Sequence, residues 1–470
     1  MLNLKNWKAK TRLDRAGIKI IKLLQANNHQ AFWVGGVVRN LLLNRGGEDM
    51  DIATSATPSQ VEGILERANI KYKTVGKKFG TILAIVNKSP VEITTFRHEG
   101  RYSNRRHPDS VKFVKDYLID AKRRDFTVNA LYFDPLLKAI SDPTGGIKDL
   151  RLKLLRFIGD PKKRIDEDAL RLIRVVRLAT QLQFKLEKNS FAAIKTRAKY
   201  ITRISVERVR NELDKILLDR NRVAGLRLLD ELGLLKFIIP ELVALKTFYH
   251  KSKRYHLEGN MFNHTLLALE KIDEPDLNLA YAVIFHDIGK PKTAKRVLKN
   301  EGWVVSTKGH AQVSAEIFRS FAEKYRFSRT SKESIKWAID NHMLMMIYAA
   351  LNPEKQLEYA LHPDFKLLIE LWKADSEGTL RVSRKDKVSK AEVKAYRLGQ
   401  IWLGLIKRKK DRINKLFSVR EIMQNLKIEQ GPRIGKVKEE IIKNIYLEKI
   451  KTKQDVKIFL NKVKKSLDRF

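Results

Sequence analysis

Val34-Gly35-Gly36-Val37-Val38-Arg39, then Asp49-Met50-Asp51, is the stretch on which the reading of this chain turns. Residues 32–34 are apolar and β-prone and predict a strand, and residues 37–43 predict a helix. Two glycines at a strand-to-helix turn let backbone N–H groups approach a phosphate. Arg39, in the first helical turn, is placed to clamp a triphosphate. Asp49 and Asp51 are two residues apart, so on a strand both carboxylates face one way. Two hard oxygen ligands side by side suit Mg²⁺ ions that serve an in-line attack on a nucleotide. Taken singly, the Gly-Gly is also an ordinary turn and the Asp-x-Asp a solvated acidic pair. Their succession favours the nucleotide reading.

Two further clusters lie downstream. In Arg123-Arg124-Asp125-Phe126-Thr127-Val128-Asn129-Ala130, two arginines beside a carboxylate suit phosphates and a ribose hydroxyl, or else a salt-bridged helix start with Asp125 as N-cap. Asp168, Arg171, Arg174 and Arg177 recur every third residue on a helix predicted over residues 167–181. An intrahelical salt bridge is the commoner use of such a pair. As a template, however, Asp168 only accepts and Arg171 only donates. The matching base offers an amino donor beside a ring-nitrogen acceptor, which cytosine and adenine do. Uracil and guanine would leave groups unpaired, at about 1–3 kcal/mol each. Arg177 is half a turn out of phase and suits phosphate or packing.

Composition sets the outer bounds. The 470 residues hold 95 Lys+Arg against 54 Asp+Glu, a formal net charge of +41, which calls for a polyanionic partner. Hydrophobic residues make up 43%, enough for real cores. With no cysteine, disulfides and Cys-ligated zinc are excluded, so any metal sits on His or carboxylates. No apolar run is long enough to span a bilayer. The basic N-terminus resembles a transit peptide in composition, but Ile18, Ile20, Ile21, Leu23 and Leu24 form one helical face, so a folded first helix and the cytoplasm are expected.

Strand-like runs at residues 31–34, 81–86, 91–95 and 111–114 give way beyond about residue 150 to helical patterns such as 206–218 and 262–272. The chain thus reads as an α+β head followed by a long all-α part, with joints after Ile239-Pro240 and near Arg384. Residues 381–470 carry 27 Lys/Arg and 10 Asp/Glu among apolar positions at helical spacing, as in a folded basic module. Within the helical part, His264, His286-Asp287, His310, His342 and Asp375 supply ligands that helices can converge on a metal.

These residues resemble a known family. Residues 34–42, 48–58, 122–130, 142–150 and 167–177, with Ser205-Val206-Glu207-Arg208 and Glu212-Leu213, form an ordered series similar to class II CCA-adding tRNA nucleotidyltransferases. The resemblance implies a polymerase β-like nucleotidyltransferase head (1–155), a helical neck (156–250), a body (251–383) and a basic tail (384–470) that binds tRNA. It implies CCA addition to the tRNA 3′ end from CTP and ATP, with Mg²⁺ on Asp49 and Asp51. Nucleotide binding would fall to Gly35, Gly36, Arg39, Arg124, Asp125, Asp168, Arg171, Arg174 and Arg177, with Asp125 facing the ribose. The family usually has Asp where this chain has Asn40, which puts a salt bridge to a motif arginine in doubt. Residues 95–114 resemble the flexible loop needed for the terminal A. The body resembles the HD phosphohydrolase domain: His264, His286, Asp287 and Asp375 fit its order, and His310 and His342 are candidates for a second divalent metal. An HD domain kept only as scaffold fits the same residues. Three alternatives stay open: an enzyme adding A alone, a poly(A) polymerase (residues 75–79 partly resemble its signature), and an HD phosphohydrolase whose head binds RNA without catalysis.

Overall fold

A computed structural model describes residues 7–47, 49–76, 79–100, 110–249, 259–299, 302–379 and 390–465. The chain divides into two compact units, Met1–Ile238 and Ile239–Phe470.

The first unit opens with α1 (Arg12–Ala26). Thr11 and Asp14 close a capping box at its start, satisfying two end N–H groups, and Ile20, Ile21 and Leu24 are buried. There follow β1 (Ala31–Val34), α2 (Gly36–Leu42), β2 (Asp51–Thr54), α3 (Pro58–Arg67), β3 (Lys71–Gly76), β4 (Thr81–Val86) and β5 (Ser89–Thr95). Next come β6 (Arg97–Glu99), β7 (Val111–Phe113), α4 (Tyr117–Arg123), β8 (Tyr132–Asp134), β9 (Ala139–Ser141) and α5 (Gly146–Arg151). Seven strands make one sheet in the order β3-β4-β5-β2-β1-β8-β9. Its pairings are antiparallel except β2 with β5, which run parallel and put Asp51 opposite Glu92. Burial alternates along β4 and β5, so one face joins the core and the other is left for polar side chains. β6 and β7 pair as a separate ribbon. The part of the expected flexible loop at 101–109 lies outside the described residues, as do Lys77 and Lys78 and the joint near Arg384.

The helix predicted over 167–181 begins four residues later, as α7 (Arg171–Leu182), and Glu167 instead ends a separate helix, α6 (Pro161–Glu167). At Asp168 the backbone is extended (φ −137°, ψ 105°). The cause is local: its carboxylate accepts from the Leu170 N–H at 3.1 Å, a side-chain bond by which Asp competes with helix.

Among its described residues the second unit is helical apart from one antiparallel hairpin, Lys295–Lys299 with Gly302–Ser306. Helices over Lys390–Leu416, Val419–Leu426, Pro432–Tyr446 and Lys453–Lys464 carry the basic C-terminal segment. They bury Trp402, Ile422, Ile441 and Leu460 in a shared apolar core, so this charge rides on a folded module.

Candidate functional site

Gly35, at φ +72° and ψ −133°, makes the turn from β1 into α2, a sparsely populated conformation that costs L side chains about 1–3 kcal/mol. A Cβ there would also lie 3.4 Å from Asp51 Oδ2 and 3.8 Å from Arg124 Nη1. This turn therefore forms part of the wall of a cleft of about 700 Å³. All the head and neck residues singled out from the sequence line it: Gly35, Gly36 and Arg39 from α2 and its turn, Asp49 and Asp51, Arg124 and Asp125, then Asp168, Arg171, Arg174 and Arg177.

The carboxylates gather on one side. Asp51 begins β2, whereas Asp49 precedes the strand, so the expected shared strand face does not bring them together; common exposure to the cleft does. Glu92 on β5 joins them as the register partner of Asp51. The sequence reading missed Glu92, although the alternation Val91-Glu92-Ile93 already aims it away from the core. Burial, then Glu92, then Asp49 push the Asp51 carboxyl up to about 6, and burial and Asp49 raise Glu92. Like charges held this close favour a bound cation.

Arginines line the same cleft. Arg39 is buried, with its guanidinium bonded to amide oxygens: Asn40 Oδ1 at 3.2 and 3.1 Å, and Asn129 Oδ1. Burial and the nearby Arg177 lower its pKa to about 10. With only neutral acceptors as hydrogen-bond partners, its charge is directed toward an anion in the cleft. Asn40 thus does hold a motif arginine, as an amide rather than as a counter-ion.

Arg124 is held rather than loose. Its Nε donates to Tyr132 Oη at 3.0 Å and its Nη2 to Asp120 Oδ2 at 3.1 Å. Asp120, fully buried, also accepts from the Arg97 N–H, from Arg123 Nε and from Tyr132 Oη. Burial opposes its charge, but Arg124 and Arg123 outweigh it and lower its pKa. Asp125 does not cap the 3₁₀ turn Thr127–Asn129, whose N-cap is Phe126. Its Oδ1 accepts from Phe126 N and Asn129 Nδ2, and its Oδ2 pairs with Arg174 at 3.0 Å.

The intrahelical bridge considered between Asp168 and Arg171 does not form. Arg171 bonds Glu167 at 2.8 Å, and Asp168 faces Arg208 at 3.6 Å. Arg177 pairs with Glu212 and Gln181.

In the second unit, all six predicted ligands converge in two groups, His264-His286-Asp375 and Asp287-His310-His342, with ligand atoms within 4.8 Å of one another in each. Asp287 joins them: Oδ2 lies 3.3 Å from His286 Nε2 and Oδ1 3.1 Å from His310 Nε2. The Nδ1 atoms of His286, His310 and His342 meet the carbonyls of Val283, Thr307 and Ile339 at 2.7–2.9 Å. That arrangement turns each Nε2 inward, as metal-ligating histidines require. The buried Nε2 of His286 makes no well-aligned hydrogen bond, an orphan that a metal would satisfy. Burial opposes charge on His286, but Asp287 and Asp375 push it up to about 10; burial and His286 lower His342 to about 4. Gly289 lets this turn pack close, since a Cβ would sit 2.7 Å from the His310 carbonyl. The donor set fits a divalent metal that accepts nitrogen and oxygen ligands.

Comparison with known proteins adds the following. A family described as "Poly A polymerase head domain" matches residues 31–156, "Probable RNA and SrmB- binding site of polymerase A" matches 183–245, and "HD domain" matches 259–369. The chain is 31% identical to the CCA-adding enzyme of Limosilactobacillus reuteri over 74% of its own length and 85% of that enzyme's. It is 43% identical to that of Enterococcus faecalis over 44% of this chain, and the match spans half of the relative's length. With the Anoxybacillus flavithermus enzyme the match is 38%, over 58% of this chain and 64% of the relative. Among solved structures, the Bacillus stearothermophilus CCA-adding enzyme in complex with CTP is similar with a TM-score of 0.67 and 22% identity, covering 98% of this chain and 100% of that one. The Thermotoga maritima enzyme complexed with tRNA is similar at a TM-score of 0.58 and 18% identity, over 99% and 98%. At these identities the likeness concerns the fold.

Proposed function

The chain belongs to the family of the CCA-adding enzymes, and from that premise we propose that it adds CCA to the tRNA 3′ end, using CTP and then ATP without a nucleic-acid template. One observation carries the proposal: Asp49, Asp51 and Glu92 line the same cleft as Arg39, Arg124, Arg174 and the Asp168/Arg171 pair. Asp49, Asp51 and Glu92 are the residues that would hold Mg²⁺, which when bound supplies Lewis-acid stabilisation of the attacking and leaving oxygens. Arg39, Arg124 and Arg174 bind and orient the triphosphate, with Asp125 toward the ribose. The tRNA 3′-hydroxyl attacks the α-phosphate and pyrophosphate leaves. Asp168 accepts the base amino group and Arg171 donates to the ring nitrogen, which admits C and A. Selectivity of this kind is strong because a wrong base leaves buried polar groups unpaired.

Residues 1–155, 156–250, 251–383 and 384–470 serve as head, neck, body and tail. The tail's folded basic helices suit the tRNA backbone. No helix among the described residues is long and apolar enough to cross a membrane, and a tRNA substrate suits an enzyme of the cytoplasm. The six-ligand cluster favours a second reading for the body, a metal-dependent phosphohydrolase acting on an RNA-end phosphoester such as a 2′,3′-cyclic phosphate. Asp49→Ala and Asp51→Ala should each abolish nucleotide incorporation and spare phosphohydrolysis. Incorporation that survives both changes overturns the assignment of the head carboxylates.

A further inference from the structure

Asp168 and Arg171 stand on different elements, Asp168 at the end of α6 and Arg171 at the start of α7. No single helix therefore fixes the spacing that a base-reading pair needs. A backbone bond from the Arg171 N–H to the Asp168 carbonyl at 3.2 Å closes the turn between them, and the aim of the Arg171 side chain runs through Arg164.

Arg164 is buried. Its Nη2 donates to the backbone carbonyls of Arg123 and Arg124, the latter at 2.8 Å. Those carbonyls immediately precede Asp125 and belong to the wall that would hold sugar and phosphates. Its Nη1 pairs with Glu167 Oε2. The same oxygen accepts from Arg171 Nη1 at 2.8 Å, and Arg171 Nη1 also donates to the Arg164 carbonyl. One planar guanidinium thus joins the backbone at 123–124 to the carboxylate that aims Arg171. A lysine ammonium cannot reproduce that two-sided fork.

We propose that Arg164 is a positioning residue that sets the separation between the sugar-facing wall and the base-reading wall, and through it the preference for CTP and ATP over UTP and GTP. The proposal rests on the reading of Arg171 as a base reader. Arg164 is not among the residues that line the cleft; it acts through Glu167 and the 123–124 backbone.

The test is steady-state incorporation of each of the four nucleoside triphosphates into tRNA by the full chain and by Arg164→Ala, Arg164→Lys and Arg171→Ala. Melting temperature is recorded for each. A misplacement near 1 Å costs about 100-fold in rate, so kcat/KM for CTP should fall about 100-fold in Arg164→Ala. UTP, already mispaired, should lose much less, so the CTP/UTP ratio should drop about tenfold or more. Arg164→Lys should recover much of the melting temperature without recovering the ratio, and it carries the test alone if the alanine variant does not fold. Equal losses for all four nucleotides, or a ratio restored by lysine, would mean that Arg164 is only structural. A ratio lost in Arg171→Ala but kept in Arg164→Ala overturns the clamp and leaves the base reading standing. A ratio kept in both overturns the base reading and the clamp with it.

Discussion

Asp120→Asn changes one atom type at the centre of the head and should have a large effect. Asp120 has no exposed surface. Its Oδ1 accepts from Arg97 N at 3.2 Å and Arg123 Nε at 2.7 Å. Its Oδ2 accepts from Arg124 Nη2 at 3.1 Å and Tyr132 Oη at 2.7 Å. In the variant one of those positions becomes an amide N–H₂ facing donors, whichever way the side chain turns. Breaking a buried ion pair by removing one charge costs about 3–5 kcal/mol. Arg123 keeps Glu99 at 3.2 Å, so the lower end, about 3 kcal/mol, is expected. The assay is urea unfolding of the full chain, with the transition of the first unit followed by hydrogen exchange at β1 and β8. Asp120 has its pKa lowered by Arg124 and Arg123 despite burial. Its contribution is therefore present above the unfolded carboxyl value, about 3.9, and is lost as pH falls through the lower folded value. The gap between wild type and variant should persist at mildly acidic pH and close only below about 4. A released Arg124 should also raise KM for CTP. A stability loss under about 1 kcal/mol, the range of an exposed pair, would refute the reasoning.

Other outcomes follow from the same geometry. Asp51, raised to about 6, and Glu92, also raised, hold protons in mild acid that a divalent cation must displace. The gain in melting temperature on adding Mg²⁺ should therefore be larger near neutral pH than at about pH 5; equal gains would contradict cation binding there. Gly35→Ala forces a side chain into φ +72° and toward Asp51. It should lower incorporation at least about tenfold, given a strain of about 1–3 kcal/mol before any displacement of the carboxylate. His342→Ala should reduce the metal content of the second unit by one ion per chain, measured by elemental mass spectrometry, while leaving nucleotide incorporation unchanged. An unchanged metal content would remove His342 from the ligand set.

The sequence made the cleft legible and left the means of its assembly hidden. Gly35, Arg39, Asp49 and Asp51 carry their chemistry in residue type and spacing, and so do the histidines and aspartates of the second unit. Glu92 was missed because its place beside Asp51 depends on a parallel pairing of two strands about forty residues apart in the chain, which no local pattern encodes. Asp120 and Arg164 were missed for a related reason: beside their own-helix partners, each binds groups brought by other elements, Tyr132 for Asp120 and the 123–124 carbonyls for Arg164. The later start of α7 was hidden because Asp168 is extended and accepts from the Leu170 N–H, a local bond that helical spacing does not reveal. In the second unit the hairpin at 295–306 escaped notice because its two strands are only five residues each and carry few β-branched residues.

The central claim is tested most directly by offering the full chain, with Mg²⁺, each of the four nucleoside triphosphates and two tRNAs, one ending at the discriminator base and one already ending in CC, and sequencing the 3′ ends. The account predicts CCA on the first and a single A on the second. A added only to the second would mean an A-adding enzyme, long A tracts would mean a poly(A) polymerase, and no incorporation at all would contradict the account outright.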